Sequence, residues 1–343
     1  MRIADFRSDT LTKPTPGMRK AMMDAEVGDD VFGEDPTINR LQELIAEMTG
    51  KEAALFVTSG TQANQICINA HTYPGEEIIV DRESHIFNYE AGGAALLSGV
   101  QLYPVDCKNG FMTVEEVEFG LRHDDVHYPQ TSLICLENTL NRAGGTIFPF
   151  EEIKKISQFS KKNNLKMHFD GARLWNASIA TGISIKDYAG YFDSIMLSFS
   201  KGMGAPVGSV VAGDIDFVKK AYYYRKVYGG GWRQAGILAA GCIYAIENHF
   251  DRLGEDHQRA KYFAEEISKI PAIKIDLSTV ETNIVIFDVD IPDFQAIPFL
   301  NQLKENSVLM LDIDPNRIRA VTHLDLIDED VDHAIRVIKK ILK

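Results

Sequence analysis

The chain has 343 residues, 45% apolar and 25% charged, with a net charge of −13; this suits a folded protein of about two domains. The acidic balance argues against a bulk electrostatic grip on nucleic acid or an anionic membrane, so any bound phosphate needs a local site. No apolar run approaches the ~20 residues of a membrane span, and the first dozen residues lack the apolar stretch of a signal peptide.

Residues 1–35 hold few apolar runs and many turn formers, and are expected to wrap over another surface. Strands are predicted over 53–57, 77–80, 100–105, 132–136, 166–169, 194–199 and 209–212. Helices are predicted over 61–70, 113–121 and 150–162, the second opened by Thr113 and Glu116 at capping-box spacing. Strands separated by helices argue for an α/β domain with a largely parallel sheet, whose ligands bind at the carboxyl ends of the strands. From Gly231 to about Lys269 the pattern is helical, with Gly254 the expected interruption. Short strands at 273–277, 283–287, 308–311 and 317–321 and helices at 294–305 and 330–342 follow. The expected division is a large domain over 1–245 and a smaller α+β domain over 246–343, joined by a long helix. Four scattered cysteines with no CxxC pair suit a reducing compartment, here the cytoplasm.

Three short segments stand at predicted strand ends. Ser59-Gly60-Thr61 begins a helix, where free N–H groups, two hydroxyls and the positive dipole end suit a phosphate. The plainer reading is an N-cap. No Walker or dinucleotide fingerprint accompanies it. Asp170 ends a strand and could pair with a cationic ring nitrogen, or simply cap a helix. Lys201 lies in a glycine-rich bend, where desolvation makes a neutral amine nucleophilic toward carbonyls; otherwise it is a loop lysine. A phosphate cup, an aspartate for a pyridine nitrogen and an amine for a carbonyl together make a pyridoxal-phosphate constellation.

The chain also resembles the L-threonine aldolases (low-specificity or L-allo type) among the fold-type I pyridoxal-phosphate enzymes. The resemblance is carried by Arg7-Ser8-Asp9-Thr10, Gly33-Glu34-Asp35-Pro36-Thr37, Ser59-Gly60-Thr61, Ser84-His85, Asp170-Gly171-Ala172-Arg173, Ser200-Lys201-Gly202, Gly231-Trp232-Arg233 and Arg319. It implies a mostly parallel seven-stranded sheet flanked by helices, and retro-aldol cleavage of L-threonine or L-allo-threonine to glycine and acetaldehyde. Lys201 would carry the cofactor as an internal aldimine, Asp170 would hold the ring nitrogen protonated, and Arg173 would donate to the ring hydroxyl. Ser59, Gly60 and Thr61 would cradle the phosphate, with Arg233 reaching a phosphate in a neighbouring subunit. His85 would stack on the ring. Ser8 and Arg319 would bind the substrate carboxylate, and His127 would contact its hydroxyl. Either His85 or His127 is the candidate base. The remaining histidines show no metal-binding spacing, and the sequence leaves a metal open.

A homotetramer built from two dimers with shared sites is implied. Two positions depart from the family pattern: Leu140 stands where a histidine is common and Phe32 where a tyrosine is common. The competing readings are another fold-type I lyase or aminotransferase, or a catalytically silent cofactor-binding protein.

Overall fold

The structure is a computed structural model that describes residues 2–107 and 110–343. A two-residue strand, β1 (Ala4–Asp5), opens the chain. The large sheet is built from β2 (Ala53–Val57), β3 (Glu77–Asp81), β4 (Gln101–Val105), β5 (Thr131–Glu137), β6 (Lys166–Gly171), β7 (Ser194–Ser198) and β8 (Ser209–Gly213). Their order is β2-β8-β7-β6-β5-β3-β4. β3 to β7 run parallel, and β8 is antiparallel to both β2 and β7. The mostly parallel seven-stranded sheet expected from the sequence is therefore present.

Alternation along these strands separates two apolar layers. Ile79, Ile134, Leu136, Phe169 and Leu197 share a core with Ile153 and Ile156 of the helix Phe150–Lys162. Their neighbours Ile78, Val80, Leu133, Cys135 and Met196 pack in clusters that hold Ile66 and Ile68 of the helix Gly60–His71. A parallel sheet covered on both faces needs continuous apolar runs, which is why these strands show little polar alternation. Each wholly buried aliphatic side chain contributes roughly 1.5–3 kcal/mol. The capping box of Thr113 and Glu116 forms at the start of the helix Val114–Gly120.

The second core gathers Phe263, Phe287, Val331 and Ile335 with Ala4 and Phe6 from the N-terminal segment. Here β12 (Leu311–Asp314), β13 (Arg317–Val321), β10 (Ile284–Val289) and β9 (Ile273–Lys274) form an antiparallel sheet, while β11 (Val308–Leu309) pairs in parallel with β1. The N-terminal segment thus wraps across the molecule, seating Ala4 and Phe6 in one core and Met18 in the other.

Three sequence expectations are corrected. The long helix is two helices, Gly236–Asn248 and Leu253–Ile267, and Gly254 lies inside the second. The break falls at 249–252, because His249 turns inward and donates from Nδ1 to the Met203 carbonyl at 2.8 Å. The strand expected over 273–277 stops at Lys274, and the one expected over 308–311 divides between two sheets. Among the described residues, no helix is long and apolar enough to cross a membrane.

Candidate active site

Because β3, β5, β6 and β7 are parallel, their carboxyl ends share one edge of the sheet. The register sets Asp170 on β6 beside Glu137 on β5, and the chain leaving β7 reaches Lys201 three residues beyond Ser198. The bend that holds Lys201 is fixed by its carbonyl, which accepts from Gly204 N–H at 2.8 Å and Thr12 Oγ1–H at 3.1 Å. Gly204 (φ 77°) and Gly208 (φ 117°) supply the left-handed turns. Among the described residues, Lys201 Nζ has no hydrogen-bond or ion-pair partner. Burial, helped by the Arg173 charge, lowers its pKa; Asp170, Asp9 and Glu137 oppose the shift.

Asp170 is buried, and it accepts from Asn64 Nδ2–H at 2.8 Å and from Ala172 N–H at 3.1 Å. Glu137 is buried too, accepting from the backbone N–H groups of His85 (2.6 Å) and Asn141 (3.1 Å). Burial and the neighbouring Asp170 push its pKa up to about 7 against those donors.

His85 starts the short helix His85–Asn88, where the Ser84 hydroxyl accepts from Phe87 N–H at 3.4 Å. Its Nδ1 lies 2.8 Å from Glu90 Oε1. Desolvation works to lower its pKa, but the Glu90 hydrogen bond and the charges of Asp170, Glu90 and Glu137 together raise it.

Arg173 is gripped at two points by buried Asp9, Nε to Oδ2 at 2.8 Å and Nη2 to Oδ1 at 2.7 Å. Asn141 Oδ1 bridges two guanidinium groups, accepting from Arg173 Nη1 at 3.3 Å and Arg319 Nη1 at 3.1 Å. Arg319 Nη2 donates to the Arg7 carbonyl at 3.2 Å, while its buried Nε has no partner. Ser8, next to Arg7, caps a short turn by accepting from Thr10 N–H at 3.2 Å.

Ser59 is the N-cap of the helix Gly60–His71, its Oγ accepting from Gln62 N–H at 3.1 Å. The Gly60 and Thr61 amides lie in the unsatisfied first turn. A Cβ at Gly60 would come within 2.9 Å of Met196 Cε, so the backbone approaches the sheet closely.

The structure thus brings Lys201, Asp170, Arg173, His85 and Arg319 into one neighbourhood, and Ser8 follows Arg7, whose carbonyl Arg319 holds. Two of the expected residues are exposed in this chain. His127 has a side chain 82% exposed, its Nδ1 2.6 Å from Asp125 Oδ1. It precedes β5, at the end of that strand opposite Glu137, a separation of about 20 Å along the strand. Arg233 is 56% exposed and held by Asp29 at 3.1 Å. Leu140 is buried in the large core, and Phe32 is 73% exposed with Arg233 over its ring.

Sequence reasoning passed over Asp9, Asn64, Glu90, Glu137 and Asn141. Glu137 could have been found as a carboxylate at a strand end, and Asn64 as a polar residue on an otherwise apolar helix face. Ligand atoms of His85, Glu90 and Asp170 lie within 4.8 Å of one another, but both carboxylates already accept from Asn64.

A lysine amine unpartnered among the described residues, a buried aspartate and an open helix start thus stand along one sheet edge. The chain belongs to the beta-eliminating lyase family, whose profile matches residues 5–291. The low specificity L-threonine aldolase of Escherichia coli (strain K12) is 42% identical over 328 residues, covering 95% of this chain and 96% of that one. The low-specificity L-threonine aldolase 1 of Arabidopsis thaliana is 42% identical over 342 residues, covering 98% and 95%. A solved structure of the Leishmania major threonine aldolase shares the fold at a TM-score of 0.86, with 20% identity and 99% coverage of both chains.

Proposed function

We propose that the protein cleaves the Cα–Cβ bond of β-hydroxy-α-amino acids, L-threonine and L-allo-threonine among them, to glycine and an aldehyde, using pyridoxal phosphate linked covalently to Lys201. The observation that carries this reading is the half-buried Lys201 amine, without a hydrogen-bond partner among the described residues, at the sheet edge that also presents buried Asp170. The residues present suit the cofactor. Asp170 offers a carboxylate to a ring nitrogen, the start of the helix Gly60–His71 offers N–H groups to a phosphate, and Arg173 has a guanidinium beside Lys201. When bound, the cofactor supplies an electron sink for the pair left on Cα when the bond to Cβ breaks.

The protein's own groups do the rest. Arg319 and Ser8 receive the substrate carboxylate; a carboxylate oxygen would satisfy the buried Arg319 Nε, which otherwise costs about 1–3 kcal/mol. Holding that carboxylate fixes which bond at Cα is aligned to break. His85 takes the β-hydroxyl proton as the aldehyde forms, and its ring is held for this by Glu90. A proton returned to Cα yields glycine. His127 and Arg233 serve a neighbouring subunit's site in a homotetramer, a reading supported by their exposure in this chain. The four free cysteines suit a cytoplasmic protein.

The test is a product assay on both threonine diastereomers with cofactor present. Glycine with acetaldehyde is expected. Pyruvate with ammonia, or an oxo acid, would assign the site to elimination or transamination instead.

A further inference from the structure

Behind Asp170 and His85 runs a chain of polar side chains, most of them buried, that reaches away from the site. His71 Nε2 lies 2.8 Å from Ser194 Oγ, which lies 2.9 Å from His168 Nδ1. His168 Nε2 lies 3.0 Å from Asn64 Oδ1. Asn64 Nδ2 reaches Glu90 Oε1 at 2.7 Å and Asp170 Oδ2 at 2.8 Å. Glu90 also meets His85 Nδ1 at 2.8 Å and, through Oε2, Gln65 Nε2 at 2.6 Å.

Chemistry fixes the direction of every bond. The Asn64 group that faces two carboxylates must be its NH₂, since an amide oxygen there would face only acceptors. Its Oδ1 therefore faces His168, whose Nε2 must carry a proton. Burial keeps His168 neutral, its pKa pushed down to about 4, so Nδ1 is bare and accepts from the Ser194 hydroxyl. Ser194 Oγ in turn accepts from Nε2–H of His71, which burial also keeps neutral, with a pKa of about 3. All the donors point toward Asp170 and Glu90, and both Asn64 N–H groups are committed.

We propose that Asn64 and Glu90 are positioning residues: Glu90 accepts Nδ1–H of His85 and so presents Nε2 as the free nitrogen of the ring, while Asn64 fixes Glu90 relative to Asp170. The proposal rests on the reading of His85 as the base. The charges facing His85 are Glu90 in the turn after its own helix, Asp170 at the end of β6 and Glu137 at the end of β5. The Tyr89 ring packs beside it at 5.6 Å. The hydrogen bond to Glu90 is the strongest support for protonated His85; a glutamine there keeps an acceptor oxygen for Nδ1–H but removes the charge that strengthens the bond.

The test compares Glu90→Gln with Glu90→Asp by NMR of histidine-labelled protein and by the pH profile of kcat/KM. In the unsubstituted protein, neutral His85 is expected as the Nδ1–H tautomer; the Nε2–H tautomer overturns the proposal. Glu90→Gln is expected to move the His85 titration, and the acidic limb of the profile, about 1 pH unit lower. It should reduce kcat more than it changes KM, and Glu90→Asp should return the limb toward its original place. An unmoved His85 titration in folded Glu90→Gln overturns the proposal. If Glu90→Gln does not fold, the tautomer and Glu90→Asp decide. Failure of the retro-aldol reading would appear separately, as missing glycine and aldehyde with the tautomer unchanged.

Discussion

Asp9 closes on Arg173 as a two-point ion pair with both side chains buried, and Asn283 Nδ2 approaches the same carboxylate at 3.4 Å. The N-terminal segment, the turn after β6 and the residue before β10 therefore meet at one charge. Burial alone would raise the Asp9 pKa, but the Arg173 charge and hydrogen bonds hold it below the usual carboxylate range. Asp9→Asn leaves the guanidinium buried without its counter-charge, a loss of about 3–5 kcal/mol. Urea unfolding should show it, and pairing Asp9→Asn with Arg173→Gln should recover part of the loss in a double-mutant cycle. Additive losses would mean that the two residues act separately.

Lys201 is the residue whose removal should be absolute. Borohydride reduction of the cofactor-loaded protein, followed by peptide mass mapping, should mark Lys201 alone. Lys201→Ala should lose both the lysine-linked visible absorbance and turnover, while keeping the fold. A label on any other lysine would reassign the site.

The residues readable from sequence share one property. Lys201 and Asp170 each follow an apolar run, so a strand ending there carries them to the sheet edge whatever the rest of the chain does. The helix Phe150–Lys162 is legible for a similar reason, because its buried Ile153, Ile156 and Ser160 recur at helical spacing. Asn141 and Asn64 are silent because their roles come from distant partners. Asn141 meets Arg319 across 178 positions, and Asn64 meets Asp170 across 106. Gly254 misleads for a third reason: glycine only weakens a helix, whereas the turn at His249 is set by a tertiary bond to Met203.

Arg319 should separate binding from chemistry. Its Nη1 and Nη2 are occupied by Asn141 and Arg7, and its Nε awaits an acceptor. Arg319→Lys keeps a charge but loses the planar fork, and is expected to raise KM roughly 10- to 100-fold with a smaller fall in kcat. Steady-state kinetics on L-threonine checks this. An unchanged KM would remove Arg319 from the carboxylate site.

Acid should destabilise the fold through the buried histidines. Burial lowers the pKa of His168 to about 4 and of His71 to about 3. Between those values and the unfolded value of about 6.5, the unfolded chain binds more protons than the folded one. The stabilisation is full above pH 6.5 and is lost as pH falls toward 4. For His168 the loss is on the order of 3 kcal/mol. Denaturant unfolding between pH 7.5 and 4.5 should show that slope, and His168→Asn should flatten it. A slope unchanged by the substitution would mean that other groups carry the acid sensitivity.

Subunit exchange tests whether Arg233 acts across an interface. The side chain points to solvent in this chain, paired with Asp29 and lying over Phe32. If it completes a neighbour's site, Lys201→Ala and Arg233→Ala proteins are each inactive, yet a hybrid dimer holds one site with both residues intact. Random exchange makes half the dimers hybrids, each with one good site of two, so activity should recover to about one quarter of the unsubstituted protein. If Arg233 acts within its own chain, every site in the mixture lacks one residue or the other, and mixing restores nothing.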